Sequence, residues 1–296
     1  MTMSTQRQPF LISVNPANNT IMFPRCLDGA TTKINVVVLC LAAFILMVAP
    51  LRAAQAQTAT KDPKAISVLM SAIEAAGGVE TVGALKDMSA SGSISYFWAG
   101  KEVVGSVAIK GLGIDRFRFD ATLPDGSLSW VVRGTTGFAR DQNGKVSQFP
   151  LHKALSADNL MFFIPRLVLW VTDPNIGVLY MGTTSFQGAL VHHISIQRTP
   201  PAQLAGTTTA RLSQVMSKDL YIDSTSSLIT RIEDQIYPVG TVTDPLPHSV
   251  VFSDYRTVNG IVLPFSADEQ IDGVTVSRLA LDVVLFNTGL TDSAFN

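Results

Sequence analysis

From Ser249 onward the chain alternates apolar and polar residues in three runs, separated by Asn259-Gly260 and Asp272-Gly273. Both dipeptides suit two-residue turns with positive φ at each central residue, a conformation that Asn, Asp and Gly reach with least strain. Between them Ile261, Leu263, Phe265 and Ala267 alternate with Val262, Pro264, Ser266 and Asp268. This period of two predicts an antiparallel meander with one face buried and the other mostly wet. The tail Asn287–Phe295 closes the chain with turn residues and an aromatic placed to dock.

The same pattern fills much of the preceding sequence. Asp62-Pro63 opens a helix, Asp as N-cap and Pro at its first position. Ile66, Leu69, Met70 and Ile73 fall on one face, and Gly77-Gly78 stops it. A shorter helical turn through Val82 and Leu85 follows. From Met88 the period changes to two, with Ile94, Tyr96 and Trp98 on one face and a turn at Ala99-Gly100. Val107 and Ile109 continue it. Phe117 and Phe119 face inward while Arg116, Arg118 and Asp120 face outward, and Leu128, Trp130 and Val132 form the next strand. Later, Leu190, His192, Ile194 and Ile196 share a face. A hairpin around Ser224–Ser227 points Leu228, Ile232 and Ile236 inward, with Arg231, Glu233 and Gln235 outward. The segments Thr199–Arg211 and Val239–Pro247 read as loops. These signals give about ten short strands without a fixed repeat.

His152–Trp170 interrupts the strands with large apolar residues. Ser156 or Asp158 is a candidate N-cap, and Pro165 is expected to break or bend a helix there. Such a segment is either core or a lid over one end of the sheet. The expected fold is mainly β within the α+β class: a large curved antiparallel sheet with the N-terminal amphipathic helix and the central apolar segment packed on its concave side.

The N terminus changes the address of the protein. Lys33 precedes the unbroken apolar run Val36–Ala49, and Ala54-Gln55-Ala56 supplies a small-x-small cleavage site. The run is shorter than the ~20 residues that span a bilayer comfortably. Residues 1–56 therefore read as a signal peptide with an extended N-region, and 57–296 as a single exported domain; an uncleaved anchor is the alternative. Both cysteines, Cys26 and Cys40, lie in the presequence, so the mature domain carries no thiol. Removing Arg7, Arg25, Lys33, Arg52 and Asp28 leaves 18 of 22 basic and 22 of 23 acidic residues, a net charge of −4. A mildly acidic domain without a basic cluster argues against nucleic acid as a partner.

Catalytic patterns are sparse. His192 and His193 are adjacent in a strand and point to opposite faces, so they cannot share one metal. Glu233-Asp234 and Asp268-Glu269 are likewise split between faces, which is poor geometry for paired acid–base work. Asp141–Gly144 resembles the start of a calcium loop but lacks the later Glu. There is no nucleophile elbow, zinc-protease helix or phosphate loop, so neither a cofactor nor a metal is expected. A hydrolase assembled around His192 or His248 is the least favoured reading. Aromatics are the residual signal: Trp98, Phe117, Phe119, Trp130, Phe162, Phe163 and Trp170 would line an apolar cavity beneath a curved sheet, or simply fill a core.

Several local features share an order with a known family. They are the helix ending in Gly-Gly (Ala65–Gly78), the small-x-Gly-x-hydrophobic first strand (Ser91–Tyr96) and the basic–aromatic strand (Asp115–Phe119). Tyr255-Arg256-x-x-Asn259-Gly260-x-x-Leu263-Pro264 and Asn287-x-Gly289-Leu290-x-Asp292 complete the set. Together they resemble bacterial periplasmic proteins of the outer-membrane lipoprotein carrier (LolA/LolB-like) superfamily. The resemblance implies an unclosed half-barrel wrapping helices, with a hydrophobic cavity that shields acyl chains in the periplasm. It also implies a monomeric, non-enzymatic partner of lipid or lipidated protein, with no stable membrane span after signal cleavage. The carriers use an arginine in the cavity region; here Arg116 and Arg118 fall on the outward face. An outer-membrane assembly or scaffold factor acting through protein contacts is the alternative.

Overall fold

The computed structural model describes residues 59–156, 163–200, 209–237 and 244–296; the expected signal peptide lies outside them. Among the described residues, thirteen strands form one open antiparallel sheet. The first six are β1 (Asp87–Trp98), β2 (Lys101–Leu112), β3 (Arg116–Leu123), β4 (Gly126–Arg133), β5 (Thr136–Arg140) and β6 (Val146–Gln148). The rest are β7 (Ile176–Phe186), β8 (Ala189–Arg198), β9 (Lys218–Asp223), β10 (Ile229–Ile236), β11 (Leu246–Val258), β12 (Ile261–Ile271) and β13 (Val274–Phe286). Their spatial order is β6-β5-β4-β3-β2-β1-β13-β12-β11-β10-β9-β8-β7. The chain thus starts in the middle, runs outward to β6, crosses to the far edge at β7 and meanders back until β13 pairs with β1.

Turn chemistry fixes the register. Both central residues have positive φ at Ala99-Gly100, Asn259-Gly260 and Asp272-Gly273, the hairpin geometry whose twist matches that of the strands. The helix α1 (Pro63–Ala75) begins as its sequence predicts, with the Asp62 carboxylate accepting from the Lys64 amide at 2.7 Å. Its buried face is Ala65, Val68, Leu69, Ala72 and Ile73, rotated slightly from the expected stripe because the two alanines let the helix press close. A short helix α2 (Val79–Gly83) follows, with Val82 buried. At Gly77 the backbone has φ 127°, and a Cβ there would lie 2.3 Å from the Gly260 carbonyl oxygen. That close approach lets the Val262 amide donate to the Ala76 carbonyl at 3.0 Å, tying the end of α1 to β12.

The crossover contains α3 (Leu151–Ser156) and α4 (Ile164–Thr172). Ser156 ends α3 rather than capping a later helix, and Pro165 sits in the first turn of α4, where its missing N–H costs nothing. The proline opens that helix instead of breaking it. Phe163, Ile164, Leu167 and Trp170 enter the core beside α1. The Lys61 ammonium donates to the Trp170 and Val171 carbonyls at 2.6 and 3.0 Å, satisfying the end of α4. Between β8 and β9 the last residues of the expected loop Thr199–Arg211 begin a helix, α5 (Thr209–Val215).

Two other departures have a common origin. The strand β7 is absent from the predicted set because a bulge between Tyr180 and Gly182 erases its alternation. A second irregularity between Ile229 and Arg231 makes Ile229, not Leu228, the core residue of that hairpin. The final aromatic docks as expected: Phe295 is fully buried in a 3₁₀ turn, Asp292–Phe295, set against β3 and β4. Arg118 and Arg133 hold Asn296 beside it, through its backbone oxygen at 3.0 Å and its side-chain oxygen at 3.1 Å.

Candidate functional site

The concave face of β9–β13 carries a row of polar side chains set into apolar surroundings. Alternation places Lys218, Asp234, His248, Glu269 and Ser277 on the inner face, one from each successive strand. Two residues along the same strands stand Leu220, Ile232, Val250, Ala267 and Leu279, all buried. The row therefore borders this buried stretch, and beyond it Ile236, Leu246 and Ile271 are only half-buried. Register makes the contacts. Lys218 Nζ donates to Asp234 Oδ2 at 2.9 Å, and His248 Nδ1 meets Asp234 Oδ1 at 2.5 Å. His248 Nε2 lies 3.3 Å from Glu269 Oε1, and Ser277 Oγ donates to Glu269 Oε2 at 2.7 Å.

These groups set one another's charge. Burial works against the Asp234 anion, but the Lys218 ammonium and the His248 ring outweigh it and hold the carboxyl down to about 2. Burial also works against a charged His248; hydrogen bonds and attraction from Asp234 and Glu269 prevail and push it up to about 9. Glu269 loses solvation yet stays below the usual carboxylate range through His248 and Ser277. At neutral pH the row reads cation, anion, cation, anion. With both ring nitrogens donating to carboxylates, His248 has no lone pair to act as a general base. Sequence reasoning split Glu233-Asp234 and Asp268-Glu269 between faces correctly, but the inward members meet across His248.

A cavity of about 290 Å³ lies at β9–β11, lined by Lys218, Asp234 and His248 with Asp219, Arg231, Glu233 and further polar residues. An apolar slit of about 10 Å³ lies where Ala72 of α1 and Ala76 at its C-terminal cap meet Ile164 and Leu167 of α4, with Tyr255 and Val262 beside them. That is about the space of one water molecule.

The predicted aromatic residues fall into three places. Phe117 is half-buried and Phe119 buried on β3, and the Phe119 ring lies 6.1 Å from that of Trp130, whose side is 42% exposed. Phe163 packs 4.9 Å from Phe252, and Trp170 is buried on the same helix, α4. Trp98 stands apart at the end of β1, 50% exposed. Phe162 lies outside the described residues.

No protein-family model and no curated protein sequence matches the chain. Solved structures do. A domain described as an outer-membrane lipoprotein-sorting protein from Vibrio parahaemolyticus superposes with a TM-score of 0.50 at 12% identity, covering 79% of this chain and 96% of its own. The fold is LolA/LolB-like. A LolA superfamily protein from Nitrosomonas europaea matches with a TM-score of 0.49 at 12% identity, over 78% of this chain and 97% of its own. In this LolA/LolB-like half-barrel, α1 and α4 cover the apolar part of the concave face, and the charged row borders it.

Proposed function

We propose that the chain is an exported carrier-type protein that sequesters a lipid, or another ligand with an apolar tail, without transforming it. The observation that carries this reading is the construction of the interior. One open sheet presents an apolar stretch of its concave face, bordered by the charged row, and the helices α1 and α4 lie on it as a separate layer. Each acyl methylene moved from water into such a layer contributes about 0.8 kcal/mol, so affinity needs no polar motif. The slit between α1 and α4 is too small for a chain, so uptake requires α4 to move away from α1. Phe163 and Trp170 would then be uncovered toward Phe117, Phe119 and Trp130. The state of His248, doubly bonded to carboxylates, supports a non-enzymatic role. The apolar run Val36–Ala49 supports export to the periplasm, where the domain would work as a monomer.

Native mass spectrometry with lipid extraction, on protein purified from a periplasmic fraction, tests the proposal. Co-purified lipid or lipidated protein is the expected result. A monodisperse, empty protein that also refuses added lipid would refute it and favour an outer-membrane assembly or scaffold factor.

A further inference from the structure

We infer that the open end of the charged row binds the ammonium group of an amphiphile's head. This rests on the carrier reading and adds the class of ligand. The row is sealed at one end and open at the other. Side-chain exposure is 4% for Lys218, 2% for Asp234 and 6% for His248, but 33% for Glu269. Because the charges alternate from Lys218, the accessible terminus is the anionic one. Glu269 is surrounded closely enough for desolvation to be the largest influence on its carboxyl, and solvent still reaches it.

Aromatic residues share the Glu269 face of the sheet. Ser277 pairs with Glu269 on one side and Tyr96 on the other, so Tyr96 lies on the same face of the sheet. Burial pushes the Tyr96 hydroxyl up, and the Glu269 charge adds to the shift. Trp98, two residues on and on the same face, is half-exposed. A carboxylate with aromatic rings on the same face attracts ammonium groups, quaternary ones included, through charge and ring quadrupole together. Along the same face, Ile94 and Leu279 are buried next to Tyr96 and Ser277, so a tail anchored here would enter the apolar lining directly. Lys101, exposed and paired with Trp98, adds a cation near the rim that suits the phosphate of a phosphocholine or phosphoethanolamine head. The Asp268–Arg278 ion pair belongs to the outer face and does not compete.

Four amphiphiles with one dodecyl chain separate the possibilities, each titrated calorimetrically below its critical micelle concentration. They are dodecyltrimethylammonium, dodecylphosphocholine, dodecyl sulfate and the uncharged dodecyl maltoside. The two ammonium-bearing probes should bind about tenfold tighter than the other two. Glu269→Gln should reduce that preference, and so should Trp98→Ala, a half-exposed position whose truncation leaves the core untouched. A phosphocholine advantage over trimethylammonium that Lys101→Ala removes would identify a phospholipid head as the source. Equal affinity for all four, or preference for the sulfate, overturns this inference and leaves the carrier reading standing. Failure of every probe to bind overturns both.

Discussion

Replacing His248 by glutamine should erase one defined segment of the stability-versus-pH curve. In the folded protein this imidazole is held protonated up to about 9, against an ordinary value of 6.5. A difference of that size corresponds to about 3 kcal/mol of preference of the folded state for the cation. The sign follows from a raised value. Below pH 6.5 the ring is charged in folded and unfolded chains alike, and the full contribution is present. It declines through the interval where only the folded chain holds the proton, and is lost above about 9. The glutamine variant lacks this proton. At neutral pH it should be less stable by about 3–5 kcal/mol, because Asp234 and Glu269 lose the charge between them in a buried site. At about pH 9.5 most of that gap should have closed. Urea unfolding of both proteins, followed by tryptophan fluorescence at several pH values across this range, reads the difference directly and cancels the titration of other groups. A gap that stays constant from pH 6 to above 9 would refute the charge assigned to His248.

Three further predictions concern the frame that holds the row. Gly77→Ala should destabilise by at least about 2 kcal/mol in thermal or urea unfolding, since the new methyl meets the Gly260 carbonyl at 2.3 Å and the backbone is at φ 127°. Phe295→Ala should cost about 3–5 kcal/mol, the range for truncating a fully buried aromatic, and a calorimetric melting scan would show it. Asp87, though burial opposes its charge, is held below the usual carboxylate range by donors from Thr288, Gly289 and Leu290. Its contribution should be present above pH 3.8 and fade as acid titrates it, and Asp87→Asn should cost about 1–3 kcal/mol with faster amide exchange at residues 288–290.

The turns and the inward Phe117 and Phe119 were legible because hairpin geometry and a period of two are local properties of a sequence. So was α1, whose cap and stop are written in adjacent residues. The bulged edge strand β7 was not, because one inserted residue cancels the alternation that would reveal it. Pro165 signals a break or a bend because sequence alone does not place it in a first turn. The charged row was the least legible feature. Its contacts join residues 16, 14 and 21 positions apart, through a register known only once the strands are paired. The available signal was polar residues on the inward phase: Lys218 before Leu220, Asp234 after Ile232 and His248 before Val250.

The pairing of β1 with β13 carries a consequence for how the molecule is made. The first strand of the sheet keeps one long flank open until β13 has been synthesised. Until then the β1–β6 meander has two unpaired flanks, each a template for aggregation. Sheet closure between such distant partners is slow for reasons of chain entropy. In the export proposed above, vectorial passage through a translocon would meet no premature native core to pull apart, and the arrival of β13 would complete the sheet in a single late step.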